Sequence, residues 1–409
     1  MPDHDAATRE DDLRIGLPFW VKTPHSTLKA APLLSRDRFD VIVVGAGISG
    51  ALVSEALTRR GKSVLIVDRR PPARGSTAAS TAMIQHEIDV PLFRLERQIG
   101  KDKAGRAWRR SVKAVDSLEK LVVRLGIDCG MRRKPALYLA GYDVGARELA
   151  AEAKIRTKAG IAAEFVNRRR LLDDFGIQRT GAILSNASAS ANPAQLTAGL
   201  LTVARARAAE ICSPVEITDM AEMPGGVALA TSRGEALVAE HVVFCTGYEF
   251  LPQMNTKSHS LTSTWAVASR PLPNLPEWLR NTIVWEASDP YLYFRGEGRD
   301  RVIAGGEDEV SGSSNSDPNK LVRKSKVIAQ KLLTLTGVDI GTPAYAWSAP
   351  FGVTRDGLPI IDRVPSYERV FTVMGFGGNG ITFSMIAAEI VAGEIAAVPD
   401  EDSDLFSFR

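Results

Sequence analysis

Three glycines, Gly45, Gly47 and Gly50, follow four apolar residues in the stretch VIVVGAGISG (residues 41–50), and a carboxylate, Asp68, closes the next apolar run, SVLIVD. Residues of these types at this spacing can hold a dinucleotide. Gly45 permits a sharp turn, Gly47 lets backbone approach a pyrophosphate, and Gly50 lets helix and strand pack closely. A helix starting near Ile48, with Ala46 and Ser49 in the same loop, offers unpaired N–H groups and a partial positive charge to phosphate. Asp68 can then accept hydrogen bonds from ribose hydroxyls, with Arg69 beside it.

Those roles need a strand–loop–helix–strand unit. Residues 40–44 and 63–68 are continuous apolar runs, as expected of parallel strands covered on both faces. Between them, Leu52, Val53, Ala56 and Leu57 share one helical face, and Gly61 ends the helix. The unit is ~30 residues long, as a β-α-β unit should be. Two later segments bring more backbone to the same ligand. EHVVFCTGYE (residues 240–249) is a strand ending in Thr246 and Gly247. VFTVMGFGGNGITFS (residues 370–384) is a second strand–glycine loop–helix, with Gly375, Gly377, Gly378, Asn379, Gly380 and Ile381 in its turn. A helix starting near Ile381 can point its dipole at a flavin ring, so FAD is favoured over NAD.

The surrounding chain reads as helix over residues 93–125, 146–159, 194–210 and 317–336. Short strands fill residues 134–141, 215–247 and 262–310. Residues 1–37 are polar and proline-punctuated, and predict an extended arm without a core of its own. Hydrophobic content of 44% and charged content of 24% describe an ordinary globular protein. With 51 basic and 48 acidic residues the net charge is +3, so no global field draws nucleic acid or membrane. The basic runs at Arg106, Arg109 and Arg110, at 132–134 and at 168–170 are expected on solvated faces. Three scattered cysteines argue against a disulfide scaffold or a metal site. No stretch approaches the ~18 apolar residues of a membrane span, and the N-terminus is too acidic for a targeting peptide. The expectation is a soluble, cytoplasmic protein.

The chain resembles the FAD-dependent oxidoreductases of the D-amino-acid oxidase superfamily, in the branch with glycine oxidase, sarcosine oxidase and γ-glutamylputrescine oxidase. VIVVGAGISG, GSTAAST (residues 75–81), HVVFCTG, YLYFR, and TRDGLPIID followed by GFGGNGITFS carry the resemblance. It implies an α/β fold, in part α+β: a Rossmann-like FAD-binding domain with a parallel central sheet, and a substrate domain whose mostly antiparallel sheet roofs the flavin. The expected FAD-binding segments are 38–95, 190–250 and 345–400, and the substrate segments are 96–189 and 251–344. By the resemblance, Ser76, Thr77, Ala79, Ser80 and Thr81 line the pyrophosphate and isoalloxazine. WSAPFGVTRDG lacks the cysteine that carries flavin covalently in sarcosine-oxidase relatives, so non-covalent FAD is expected. Ile303 stands where that branch has a lysine, and Phe351 near where glycine oxidase has a second arginine.

The implied activity is oxidation of a small amine or amino acid by hydride transfer to flavin N5, giving an imine that water hydrolyses. Oxygen or another acceptor would complete the cycle. Arg295, at the end of YLYFR, matches the arginine that grips the substrate carboxylate in glycine-oxidase-like relatives. Tyr291 and Tyr293 alternate on the same face and can wall the substrate site. His86, just past the flavin loop, can titrate near neutral pH. Oxidation of a 2-hydroxy acid, or service to a macromolecule such as tRNA, remain open alternatives, though the balanced charge disfavours a nucleic-acid partner.

Overall fold

The computed structural model describes residues 14–22, 28, 38–249, 259–310 and 314–409. The remainder of the expected arm and residues 251–258 of the expected substrate segment lie outside the described residues. Among the described residues, two sheets organise the chain. The smaller has eight strands, and its centre is parallel: Val370–Met374, Ala236–Phe244, Arg38–Val44, Val64–Val67 and Glu210–Cys212, in spatial order. Val44 stands opposite both Val67 and Phe244, so these strands end level. Helices Ile48–Arg59 and Gly380–Ile395 pack on one another, and each begins where one of those strands ends.

Among the described residues the larger sheet has ten strands and is mostly antiparallel. Its middle carries His259–Ala268, Arg301–Glu309, Leu292–Glu297 and Ile283–Glu286 in that order. Strand Tyr345–Thr354, expected with the FAD-binding segments, instead pairs along its whole length with His259–Ala268. Met83–Ile84 also joins the larger sheet. The boundaries placed at 95 and 345 therefore cut across this sheet, because periodicity identifies a strand but not the sheet it enters.

Two of the basic runs are solvated only in part: Arg109 and Arg132 are exposed, but one residue of each run is buried. Arg110 is buried against Glu389 (2.6 Å) and Asp400 (2.9 Å). Lys134 is buried with Nζ donating to the carbonyls of Arg280 and Gly296, each at 2.7 Å. Burial, reinforced by the Arg295 charge, lowers its pKa to about 7. The arm is not separate either. Ile15–Gly16 pairs with Ser348 and Trp347, and Phe19 and Trp20 are buried. None of the described helices is long and apolar enough to cross a membrane.

Candidate active site

A cavity of about 520 Å³ runs from the C-terminal ends of the parallel strands to the underside of the larger sheet. Its first part is built by the glycine loop. Gly45 has φ +113, and a Cβ there would stand 2.4 Å from the Cys245 carbonyl oxygen. A Cβ on Gly50 would stand 1.8 Å from the Gly45 carbonyl oxygen. Both positions are closed to any side chain. Gly47 differs: its φ of −82 is ordinary, and its added Cβ would meet only Thr77 Oγ1, at 3.1 Å. Gly47 lines the cavity. Ala46 does not, but its N–H donates to Asp68 Oδ2 at 2.7 Å, while Arg70 N–H donates to Oδ1 at 2.8 Å. Burial raises the Asp68 pKa and these two donors oppose the rise. At the same end Arg69 meets Glu216 (3.2 Å) and Arg70 meets Glu249 (2.7 Å).

The two long helices that open on the cavity are left uncapped. Neither Gly47, before Ile48–Arg59, nor Asn379, before Gly380–Ile395, gives its helix a side-chain cap. Elsewhere Asn192, Asp317 and Asn167 each cap a helix with a side-chain oxygen. The 25-residue helix Lys101–Leu125 is uncapped too, so what sets these two starts apart is their place at the cavity, where helix-start amides can donate to a ligand. Ile48 N–H is taken by Thr77 Oγ1 (3.0 Å), and Ser49 Oγ meets Ser384 Oγ at 2.8 Å, which ties the two helix starts together.

Residues 76–81 form the opposite wall: Ser76, Thr77, Ala79, Ser80 and Thr81 all line the cavity. Their carbonyls are held from behind. Trp347 Nε1 donates to Ala79 O (2.8 Å), Trp20 Nε1 to Ser80 O (2.6 Å), and Arg295 Nε to Thr81 O (2.9 Å). Arg14 Nη1 adds Arg74 O (2.5 Å) and Gly75 O (2.9 Å). Sequence reading missed Arg14 and both tryptophans, although PFW in the arm was visible.

This arrangement corrects two expectations. Arg295 is fully buried, bonded to Glu297 (2.5 Å), to Gly296 O (3.1 Å) and to Thr81 O, and it does not line the cavity. It lies on the same face as Tyr291 and Tyr293 by parity, but beyond the cavity's edge. Its neighbour Ile303 is buried too and does not line the cavity. His86 is also fully buried away from the cavity, with Nδ1 at 3.2 Å from Ser188 Oγ. Burial lowers its pKa to about 4, so it stays neutral at physiological pH. Arg295→Met should therefore cost ~1.5–3 kcal/mol of stability in urea denaturation, from lost charged hydrogen bonds. Its preference between carboxylated and uncarboxylated amines should not move. A selective kcat/KM loss for carboxylated substrates would return Arg295 to the substrate site.

The second glycine loop closes the cavity from below. Gly377, Gly378, Gly380 and Ile381 line it, as do Thr246 and Gly247. Gly375 and Asn379 do not. Gly375, at φ +72, shapes the turn, and Asn379 orders it by donating to Glu87 O (2.8 Å) and Asp89 Oδ1 (3.3 Å). Asp89 Oδ2 accepts from Gly378 N–H (2.8 Å), and a Cβ on Gly377 would stand 2.4 Å from it. Asp89 follows the flavin-loop segment closely in sequence, yet nothing in its spacing marked it.

The far end is a chamber under the larger sheet. Tyr291 and Tyr293 line it as expected, with ring centroids 5.7 Å apart. Thr264, Asp308, Phe351 and the stacked pair Tyr138 and Trp285 (3.8 Å) complete much of the wall. Burial raises the Asp308 pKa to about 6, against the hydroxyls of Thr264 and Tyr291.

The cavity thus joins the glycine-loop end, with two helix starts beside it, to the chamber under the larger sheet. These residues fit FAD: Asp68 would stand nearest the ribose, the Gly47–Ile48 turn would face the pyrophosphate, and residues 79–81 with the second glycine loop would border the flavin. The chain is 21% identical over 400 residues to the probable oxidoreductase OrdL of Haemophilus influenzae, covering 95% of this chain and 90% of that one. It superposes on glycine oxidase from Geobacillus kaustophilus with a TM-score of 0.76 at 22% identity, covering 91% of this chain and 99% of that one. L-proline dehydrogenase from P. horikoshii gives the same TM-score of 0.76 at 16% identity, over 91% of this chain and 97% of that one. The model of the FAD-dependent oxidoreductase family matches residues 40–394, and the chain belongs to that family.

Proposed function

We propose that the protein oxidises the C–N bond of a small amine or amino acid, using non-covalently bound FAD. The observation that carries this reading is the single cavity in which the cofactor cradle opens directly into the Tyr291–Tyr293 chamber. Bound FAD supplies a two-electron acceptor for a C–H next to nitrogen. The protein's own part is placement. The fixed carbonyls of residues 79–81 hold one wall, Asp89 holds the Gly377–Gly378 turn, and the larger sheet roofs the chamber. Glycine oxidase and N-methyl-L-tryptophan oxidase, both among the relatives, bear names that accord with this reading. Among the described residues Cys245 is the cavity's one cysteine, and burial pushes its thiol far up, away from the nucleophilic thiolate. The division into FAD-binding and substrate parts belongs to the same proposal.

The purified protein should be yellow, and acid precipitation should leave its FAD in the supernatant. Mixed anaerobically with amines and amino acids, its flavin should bleach. Colour retained in the pellet would overturn non-covalent binding. Bleaching by 2-hydroxy acids alone would overturn C–N oxidation.

A further inference from the structure

The charges around the cavity are sorted by position. Among the described residues the only basic side chains lining it are Arg69 and Arg70, both at the Asp68 end and both facing Glu249. The chamber instead presents Asp89, Asp143, Glu286, Asp289 and Asp308. Three of these are occupied. Asp143 pairs with Arg94 (2.8 Å), Glu286 with Arg179 (2.6 Å), and Asp89 serves the second glycine loop. Asp289 and Asp308 form no ion pair among the described residues. Asp308 Oδ1 and Thr264 Oγ1 are both buried, and the neutral hydroxyls of Thr264 and Tyr291 are the groups that face the Asp308 carboxylate, with no cation among them. The arginine that would receive a carboxylate is turned onto Thr81 O, and Phe351 occupies the other expected position.

A carboxylate entering this chamber would meet acidic groups, with no cation lining it to offset them. An ammonium would find an acceptor that lacks one. The reacting nitrogen is not that ammonium, because its lone pair must be free to form the C=N bond as the C–H breaks. The acidic pair must therefore serve a second cationic centre.

We propose that the substrate is a diamine-type cation, whose distal ammonium is held by Asp308 and Asp289 and whose reacting end carries no carboxylate. This rests on the C–N oxidation proposed above. At the neutral nitrogen, the neighbouring C–H bond breaks with its electron pair passing to FAD, and the nitrogen lone pair forms C=N. Water then adds, and ammonia leaves as the aldehyde forms. Asp308 is anionic above about pH 6. Asp89, Asp289, Tyr291 and Tyr293 face it, and none of them is cationic, so the preference for a dication should fade as the pH falls through that value.

The test is anaerobic flavin reduction by the holoenzyme, with 1,4-diaminobutane, n-butylamine, glycine and N-methylglycine as probes. The expected result is an at least ~10-fold higher second-order rate constant for flavin reduction by the diamine than by butylamine, with the amino acids slower still. Asp308→Asn should keep its FAD and pull the diamine-to-butylamine ratio toward one. If that variant fails to fold, Asp289→Asn should lower the same ratio. Faster reduction by glycine or N-methylglycine than by the diamine would overturn the proposal while leaving C–N oxidation intact. Reduction by 2-hydroxy acids and by none of the amines would overturn both.

Discussion

Gly47→Val should yield a folded, colourless protein whose FAD affinity is weaker by at least ~100-fold, a loss of ~3 kcal/mol or more. Valine adopts the φ of −82 found at Gly47 without strain, and its Cβ needs only a few tenths of an ångström from Thr77 Oγ1, now 3.1 Å away. The isopropyl group then stands in the cavity, where the pyrophosphate must pass. Gly50→Ala and Gly45→Ala provide the contrast. Their Cβ atoms would sit 1.8 Å and 2.4 Å from carbonyl oxygens, so these variants should lose the fold itself. Circular dichroism with FAD titration separates the two outcomes. A Gly47→Val protein that retains stoichiometric FAD would remove the glycine loop from the cofactor site.

Arg156→Met should be the most destabilising change outside the glycine loops, at ~3–5 kcal/mol, a large part of the stability of a typical domain. Arg156 is fully buried, and so are both its partners, Glu87 (2.6 Å) and Glu152 (2.8 Å). Its guanidinium also lies 4.4 Å from the centre of the Trp108 ring. Methionine can fill much of that space but leaves two carboxylates without a counter-charge. They cannot simply turn away. Glu152 accepts from the N–H groups of Leu92 (2.8 Å) and Phe93 (3.0 Å), and Glu87 accepts from Trp285 Nε1 (2.9 Å). Adding Glu87→Gln should recover part of the loss, because one buried charge is then gone. The Glu87 carbonyl also anchors Asn379, so FAD affinity should fall along with stability. A denaturation shift below ~1 kcal/mol would mean that water or a rearranged side chain replaces Arg156.

The nucleotide half of the site was legible because its chemistry is local. Gly45 and Gly50 sit where no Cβ fits, as their spacing requires, and Gly47 and Asp68 line the cavity, since strand, turn and helix are contiguous. The chamber was harder to read. Tyr291, Tyr293 and Arg295 share a parity, yet at ~3.3 Å per residue the arginine lies ~13 Å beyond Tyr291, outside the cavity. Alternation reports which face a side chain takes, not where the cavity ends. His86 had the right residue type and neighbourhood, but burial was not visible in the sequence. The side chains behind residues 79–81 come from 60, 214 and 268 positions away, so no local pattern announces them. Asp308 was overlooked because a carboxylate amid glycines and other acids looks like a loop.

The clasp on residues 79–81 also bears on when the cofactor can be captured. During synthesis the β-α-β unit emerges early and can begin to fold, as N-terminal segments do. Its flavin-side wall is nonetheless completed by Trp347, and the helix facing it begins at Gly380, both in the last part of the 409-residue chain. Trp20 and Arg14 wait from the opposite end of the polypeptide. The cradle therefore closes only once both ends of the chain are on hand, and FAD loading belongs to the finished polypeptide, not to the nascent one.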